Sequence, residues 1–235
     1  MKSRADIILP IHHEEDNVEK VVIQIDKNVK TPHRLFFVYD EDNDPSIYIV
    51  KKLKKKFPNI YLLKNDYGKG IVNALKTGFN HAKSEIIVTM MADLSDDPKV
   101  IDKMVKKIDQ GLDMVCASRY SKSGARKGGP FMKALISYLG CLTLNILTGI
   151  PTRDSTNAFK CFRKNILKKI EIQSVGGFEL PLELAVKSYF LGYRIGEIPT
   201  VWEERKSGKS KFKFIQWLPH YLRWYLYAVR SRYGS

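Results

Sequence analysis

The first half of the sequence alternates short apolar segments with longer amphipathic ones, and this alternation limits the possible folds more than any other feature. Five segments are short and apolar enough to be strands: residues 7–9, 35–38, 60–63, 86–88 and 113–117. Between the first two, Val18, Val21 and Ile25 recur at the spacing of one helix face. Strands that alternate with helices form a mostly parallel sheet covered by helices on both faces. We therefore predict a single α/β domain of this kind.

Acidic residues follow three of the predicted strands. The segment PIHHEE follows the first strand, YDED follows the second, and ADLSDD follows the fourth. Because the carboxyl ends of parallel strands meet at one edge of the sheet, these loops should border one crevice. Such a crevice can bind a hard divalent cation, and the cation can neutralise a diphosphate. In the alternative interpretation, Asp44 and Asp97 are helix N-caps and the other acidic residues are solvated loop charges.

The chain is strongly basic. It has 40 Lys and Arg against 25 Asp and Glu, so the formal net charge is +15. This charge predicts an anionic partner, which can be nucleic acid, an acidic membrane surface or a phosphorylated small molecule. Between residues 114 and 153 the sequence has no Asp or Glu. The three cysteines lack metal-ligand spacing, which argues against a disulfide framework or a zinc site.

Two segments in the second half combine apolar bulk with basic residues. Residues 131–150 are largely apolar, and residues 212–235 interleave Trp and Tyr with Arg and Lys. Trp and Tyr favour the headgroup level of a bilayer, where Lys and Arg meet anionic lipid. We predict amphipathic helices at a membrane surface, with a break near Pro219, and neither a spanning helix nor nucleic-acid binding. Packing of both helices on the sheet or on a second subunit is the alternative.

Six motifs occur in a characteristic order along almost the whole chain: LPIHHEEDNV, FFVYDEDNDPS, the run from DYGKG to MMADLSDDP, ASRY, RDSTNAFKCFRK, and the run from GFELP to GKSK. In this order they resemble family 2 glycosyltransferases of the GT-A fold. The branch they resemble most is that of dolichol-phosphate mannosyltransferases and polyprenyl-phosphate glycosyltransferases. The resemblance implies a GT-A, Rossmann-like sheet.

The resemblance also implies a donor site for a UDP- or GDP-linked sugar. Its residues would be Pro10, Glu14, Asp40, Lys69, Arg205 and Lys211. Mg²⁺ or Mn²⁺ would be bound by Asp93, supplemented by Ser95 and Asp96. The family's metal motif usually reads Asp-x-Asp, whereas this chain has Met91 at the first position. Because a thioether is a poor ligand for these cations, Asp93 would have to make the direct contact.

The acceptor implied by the resemblance is a polyprenyl phosphate, either undecaprenyl or dolichyl phosphate. Arg119, Arg126, Lys133 and Ser137 would bind its phosphate, and we predict catalytic roles for Asp93, Arg119, Lys133 and Ser137. A phosphate monoester is largely dianionic at pH 7, so it can attack the sugar without a general base. Displacement in one step predicts inversion. For a sugar-hydroxyl acceptor, Asp154 or Glu183 would be the candidate base, although Asp154 can equally order its own turn.

We therefore expect residues 1–211 to form the catalytic domain, with a possible membrane-interface helix at 131–150, and residues 212–235 to form a second interface segment. The protein would be peripheral or monotopic on the cytoplasmic face of a membrane. Two other hypotheses stay open: a family 2 enzyme that extends a saccharide, and a non-catalytic basic binding protein on the same scaffold. The oligomeric state, the sugar and the nucleotide are left undetermined.

Overall fold

The computed structural model of the protein describes residues 3–205 and 214–234. Its strands, in chain order, are β1 (Ala5–Ile11), β2 (His33–Tyr39), β3 (Ile60–Lys64), β4 (Ile86–Thr89), β5 (Met114–Ser118), β6 (Ala125–Lys127), β7 (Lys160–Arg163), β8 (Ile195–Pro199) and β9 (Val201–Glu203). Its helices are α1 (Glu15–Asn28), α2 (Ser46–Lys54), α3 (Ile71–His81), α4 (Ile101–Asp109), α5 (Phe131–Thr148), α6 (Lys164–Lys169), α7 (Leu180–Phe190) and α8 (Phe214–Tyr233). The five strands predicted from the sequence are all present.

The main sheet has seven strands in the order β3-β2-β1-β4-β7-β5-β8. All neighbouring pairs are parallel except those of β7, which runs antiparallel to both β4 and β5. The mostly parallel sheet is therefore confirmed. The parallel register, with Ile8 opposite Phe36 on one side and Thr89 on the other, brings the ends of β1, β2 and β4 to the same edge. The three acidic loops consequently leave the sheet side by side.

Helices cover both faces of the sheet, as the alternation predicted. Ile7 of β1 packs in one cluster with apolar residues of α1, α2 and α4, whereas Ile8 packs in a second cluster with α3, α6 and α7. This division follows from the two-residue period of a strand, which points successive side chains to opposite faces. The contact of α3 with the sheet is close, because a Cβ atom at Gly78 would lie 2.4 Å from Cγ2 of Ile8.

Helices α5, α7 and α8 share a third, smaller cluster that includes Leu144, Leu182 and the fully buried Trp224. Helix α8 runs without interruption through Pro219, so the predicted break there is wrong. Proline removes only one backbone hydrogen bond from the helix, and side-chain packing offsets that loss. Trp224 donates a hydrogen bond to Ser174, and the hydroxyl of Tyr221 donates one to the carbonyl of Phe178.

A two-stranded parallel sheet of β6 and β9 lies beside the loop that follows β4. Asp96 in that loop forms an isolated antiparallel bridge with Trp202 of β9. This contact joins the acidic loop to the small sheet. Arg126 lies in β6, and Arg205 follows β9. The small sheet thus brings acidic and basic segments to one site.

Candidate functional site

A cavity of about 430 Å³ lies at the carboxyl edge of the main sheet, enclosed by the loop after β4 and by α5, α7 and α8. Its lining combines three kinds of side chain. The charged part includes Asp93, Asp96 and Arg205. A second part carries basic and hydroxyl side chains: Arg119, Arg126, Lys133, Ser137 and Thr156. The apolar part includes Leu144, Pro181, Leu182, Leu218 and Leu222. Acidic, basic and apolar walls therefore share one space.

Asp93, in the charged part of the lining, accepts hydrogen bonds on both of its carboxylate oxygens. Its Oδ1 atom accepts hydrogen bonds from the backbone N–H of Ser95 at 3.0 Å and from the Ser95 hydroxyl at 2.5 Å. Leu94 between them adopts a positive φ of 66°, which folds the loop back on itself. The Oδ2 atom of Asp93 accepts a hydrogen bond of 2.6 Å from Nη2 of Arg205. The loop thus holds the Asp93 carboxylate in one orientation.

Asp96 lies in the same loop and is 3% exposed. Burial, together with the neighbouring charge of Asp93, raises the pKa of Asp96 to about 7. Its Oδ2 atom accepts a hydrogen bond of 3.2 Å from the backbone N–H of Met91. Met91 therefore orients Asp96 through its backbone N–H.

Arg205 bridges carboxylates from two strand ends. Besides Asp93, it contacts Glu14, with 3.5 Å between Nη1 and Oε1. Glu14 also accepts a hydrogen bond from Asn17. Burial is the largest influence on Glu14 and raises the pKa of its carboxyl group, assisted by the charge of Asp93. Arg205 is thus the cation that compensates two carboxylates in the described structure.

The other predicted donor residues lie at the same sheet edge but do not line the cavity. The Asp40 carboxylate accepts hydrogen bonds from Nδ2 of Asn65 at 2.8 Å and from the backbone N–H of Gly70 at 2.9 Å. Lys69 is exposed and pairs with Glu41. Pro10 lies near the end of β1, opposite Val38.

The prediction for Lys211 falls outside the described residues. The hydrogen bonds from Asn65 and Gly70 attach Asp40 to the turn that begins α3.

Arg119 is held by Asp154 in a bidentate pair. Nε and Nη2 of Arg119 each lie 2.7 Å from one carboxylate oxygen, and the Arg119 backbone N–H donates to the same carboxylate at 2.8 Å. Burial alone would lower the pKa of Arg119, but the adjacent Asp154 outweighs it and raises that pKa further. Asp154 is completely buried. It therefore orients Arg119 and is poorly placed to accept a proton.

Glu183, the other candidate base, has a structural role. It is fully buried, and its carboxylate accepts hydrogen bonds from the backbone N–H groups of Gln173 and Ser174 and from Lys187. It is not part of the cavity lining. Neither carboxylate that the sequence offered as a general base is thus available at the site.

The remaining acceptor candidates lie along α5 and β6. Lys133 and Ser137, one helical turn apart, both face the cavity. The guanidinium of Arg126 lies 4.6 Å from the centre of the Trp202 ring, which holds it at the cavity wall. Sequence reasoning did not single out Trp202 or Thr156 as site residues. The hydroxyl-rich turn DSTN was the only available signal for Thr156.

A second group of possible ligand atoms occurs near the start of α1. Atoms of His13, Glu15 and Asp44 lie within 4.8 Å of one another. Asp44 accepts hydrogen bonds from the backbone N–H groups of His13 and Ser46, so its carboxylate acts as a local cap.

The family model of glycosyl transferase family 2 matches residues 6–171, which is most of the sheet and the acidic edge. The chain belongs to this family. As a family 2 member it is similar to a dolichol-phosphate mannosyltransferase from Pyrococcus furiosus, with 28% identity over 228 residues. It is also similar to a polyprenol monophosphomannose synthase from Mycolicibacterium smegmatis, with 23% identity over 214 residues. The resemblance inferred from the motifs is confirmed.

The match covers 94% of this chain but only 63% of the Pyrococcus furiosus protein. For the Mycolicibacterium smegmatis protein the corresponding values are 88% and 80%. Among solved structures, glucosyl-3-phosphoglycerate synthase from Mycobacterium tuberculosis, in complex with Mn²⁺, UDP and phosphoglyceric acid, matches with a TM-score of 0.68 at 14% identity. That match covers 98% of this chain and 78% of the solved one. The predicted GT-A fold of this family 2 chain is thereby confirmed.

The charged part of the cavity lining has donor atoms that suit a hard cation. Asp93, Ser95 and Asp96 offer carboxylate and hydroxyl oxygens, which Mg²⁺ and Mn²⁺ prefer. The two carboxylates are close enough for the charge of Asp93 to raise the pKa of Asp96, and a cation would relieve that repulsion. The donor set of this family 2 chain therefore fits a divalent cation even with methionine at position 91.

Proposed function

We propose that this protein is an inverting glycosyltransferase that moves a sugar from a nucleotide diphosphate sugar to a polyprenyl phosphate at a membrane surface. The observation that carries the proposal is the single cavity in which acidic, basic and apolar walls meet. A nucleotide diphosphate with its cation, a phosphate group and a lipid chain require these three environments. The similarity to proteins named as polyprenol and dolichol-phosphate mannose synthases agrees with this assignment.

On the donor side, Asp93, Ser95 and Asp96 would hold Mg²⁺ or Mn²⁺, and Arg205 with Lys211 would contact the diphosphate. The cation would neutralise charge on the leaving diphosphate. Pro10, Glu14, Asp40 and Lys69 would border the UDP or GDP part of the donor. Arg205 already lies beside Asp93, so a diphosphate could replace the carboxylates as its anionic partner.

On the acceptor side, Arg119, Arg126, Lys133 and Ser137 would orient the phosphate. One of its oxygens would attack the anomeric carbon as the bond from that carbon to the diphosphate oxygen breaks, and the nucleotide diphosphate leaves with the electron pair. Asp154 and Glu183 are both committed to buried structural contacts. That arrangement favours an acceptor that needs no general base. A phosphate dianion meets this condition, whereas a sugar hydroxyl would have to be deprotonated.

The apolar part of the cavity lining comes from α5, α7 and α8, and α5 and α8 also carry exposed apolar side chains. On α5 these include Phe131 (74% exposed) and Ile146 (69%), and on α8 they include Leu222 (49%). An isoprenoid chain could leave the cavity between these helices and remain in lipid. By length and composition α5 could also cross a bilayer. The side of α5 opposite these exposed residues lines the cavity and packs on the folded domain. This packing favours contact of α5 with the membrane surface over a spanning helix.

The test is transfer of labelled sugar in lipid vesicles. The protein is incubated with UDP- and GDP-linked sugars, Mn²⁺, and either undecaprenyl or dolichyl phosphate, and glycolipid is extracted and counted. We expect a lipid-linked sugar of inverted anomeric configuration. We propose that the protein lies on the cytoplasmic face of the membrane. In oriented membrane vesicles, it should be accessible to added protease only when the cytoplasmic face is outward.

Two matched variants sharpen the test. Asp93→Asn should abolish turnover, whereas Asp97→Asn should retain it. The Asp97 carboxylate accepts a hydrogen bond from the backbone N–H of Lys99 and does not line the cavity. Transfer to a saccharide in place of the lipid would contradict the proposal and favour the saccharide-extending alternative. Absence of transfer by the wild type, together with equal ligand binding by both variants, would favour a non-catalytic role.

A further inference from the structure

Thr156 lies in the segment that leads from α5 into β7, and both flanks of Thr156 are fixed. On one side Asp154 pairs with Arg119, and its backbone N–H donates to the hydroxyl of Thr152. On the other side Nδ2 of Asn157 donates to the carbonyl of Ala117 at 2.9 Å. The Thr156 hydroxyl is therefore held by the surrounding fold before any ligand arrives.

This hydroxyl is central among the groups assigned to the acceptor phosphate. Oγ1 of Thr156 lies 3.2 Å from Nη2 of Arg119 and 3.3 Å from Oγ of Ser137. It is also 3.4 Å from Oδ1 of Asp154 and 3.5 Å from Sγ of Cys141. Thr156, Arg119 and Ser137 all line the cavity. Two hydroxyls and a guanidinium thus converge on one point of its wall.

The bonds that Thr156 makes here are long. A hydroxyl has one proton, and good O–H···O hydrogen bonds have oxygen separations of about 2.7–2.8 Å. The contacts to Ser137 and Asp154 exceed that range, so each holds the proton weakly. A dianionic phosphate oxygen is a stronger acceptor and forms shorter bonds. The proton of Thr156 would therefore turn to such an oxygen if one entered the cavity.

We propose that Thr156 is a direct ligand of the acceptor phosphate, donating its hydroxyl proton to a phosphate oxygen beside Arg119 and Ser137. This inference rests on the proposed function, and it adds a binding residue that sequence reasoning missed. The methyl group of Thr156 limits rotation of the side chain, which keeps the hydroxyl directed towards the proposed phosphate oxygen.

The test compares Thr156→Val, which keeps the shape and removes the hydroxyl, with Thr156→Ser, which restores it. Binding of farnesyl phosphate and of farnesol to the full chain is measured by titration calorimetry in detergent, without donor. Loss of a hydrogen bond to a charged group predicts about 10- to 100-fold weaker farnesyl phosphate binding by Thr156→Val. Farnesol binding should be unchanged, and Thr156→Ser should recover most of the phosphate affinity.

Inorganic phosphate is added as a competitor to compare the headgroup with the free ion. It should weaken farnesyl phosphate binding to wild type at lower phosphate concentrations than it does for Thr156→Val, and it should not affect farnesol binding. Thr152→Val is the loop control, because the Thr152 hydroxyl bonds Glu197 and the Asp154 backbone and does not line the cavity. It should lower the melting temperature more than Thr156→Val does.

Unchanged farnesyl phosphate affinity in Thr156→Val would overturn the inference, as would an equal loss of farnesol affinity. In the vesicle assay, Thr156→Val should raise KM for polyprenyl phosphate and leave KM for the nucleotide sugar unchanged. Failure of the wild type to make glycolipid would count against the proposed function, whereas the binding titrations judge Thr156 separately.

Discussion

A divalent cation bound to Asp93, as proposed above, would compete with Arg205 for this carboxylate, and the competition gives a measurable prediction. In the structure Nη2 of Arg205 lies 2.6 Å from Oδ2 of Asp93, and Nη1 lies 3.5 Å from Oε1 of Glu14. A cation that binds Asp93 without a nucleotide must displace this guanidinium. The variant Arg205→Met should therefore bind Mn²⁺ alone more tightly than the wild type does.

The magnitude follows from the geometry of the pair. A hydrogen bond to a charged group contributes about 1.5–3 kcal/mol. The Arg205 side chain is 27% exposed and the Asp93 side chain 6%. Solvent screening reduces the value to about 1–2 kcal/mol. Removing that competition should tighten Mn²⁺ binding by about 5- to 30-fold.

The assay is an electron paramagnetic resonance titration of free Mn²⁺, carried out without nucleotide. The control is Arg126→Met, which removes a cation at the same cavity that contacts Trp202 rather than Asp93. With UDP or GDP present, the order should reverse, because Arg205→Met then lacks a partner for the diphosphate. Unchanged or weaker Mn²⁺ binding by Arg205→Met in the absence of nucleotide would refute the reasoning.

Three further predictions concern stability and membrane contact. Burial alone would raise the pKa of Asp6, but hydrogen bonds from Arg34 and from the Ser84 segment outweigh it and lower that pKa. Asp6→Asn should therefore lower the free energy of unfolding by about 2–3 kcal/mol at pH 7. The difference from wild type should shrink as the pH falls from about 4, where the unfolded-state carboxylate takes up its proton, through the lowered pKa of the native carboxylate; a constant difference in urea titrations would contradict this. Asp154→Asn leaves the Arg119 charge buried without its counterion and should cost about 3–5 kcal/mol in the same titrations, and a loss below 1 kcal/mol would refute the pair's role. Ile146→Glu, on the exposed side of α5, should weaken sedimentation with anionic vesicles while leaving the melting temperature unchanged. Undiminished sedimentation would exclude this face as the contact.

Much of the fold was predictable because its signals are local. A strand such as β1 is read from a short apolar run, and the helix after it from apolar residues at helical spacing. The position of the acidic loops at one edge follows from parallel pairing alone. The antiparallel direction of β7 was not predictable, since the four residues of that strand carry no mark of their direction. The uninterrupted course of α8 through Pro219 likewise depends on what Trp224 and Tyr221 contact elsewhere.

By itself, the sequence determined the mostly parallel sheet, the family, and which acidic loops meet at one edge of the sheet. Tertiary structure alone decided how those charges pair. Arg205 and Asp93 are 112 positions apart, and Arg119 and Asp154 are 35 apart. The strength of such pairs depends on distances of a few ångströms and on burial, and both are set only when the strands assemble in their final order. The same assembly brings Thr156 beside Ser137, which residue spacing along the chain does not reveal.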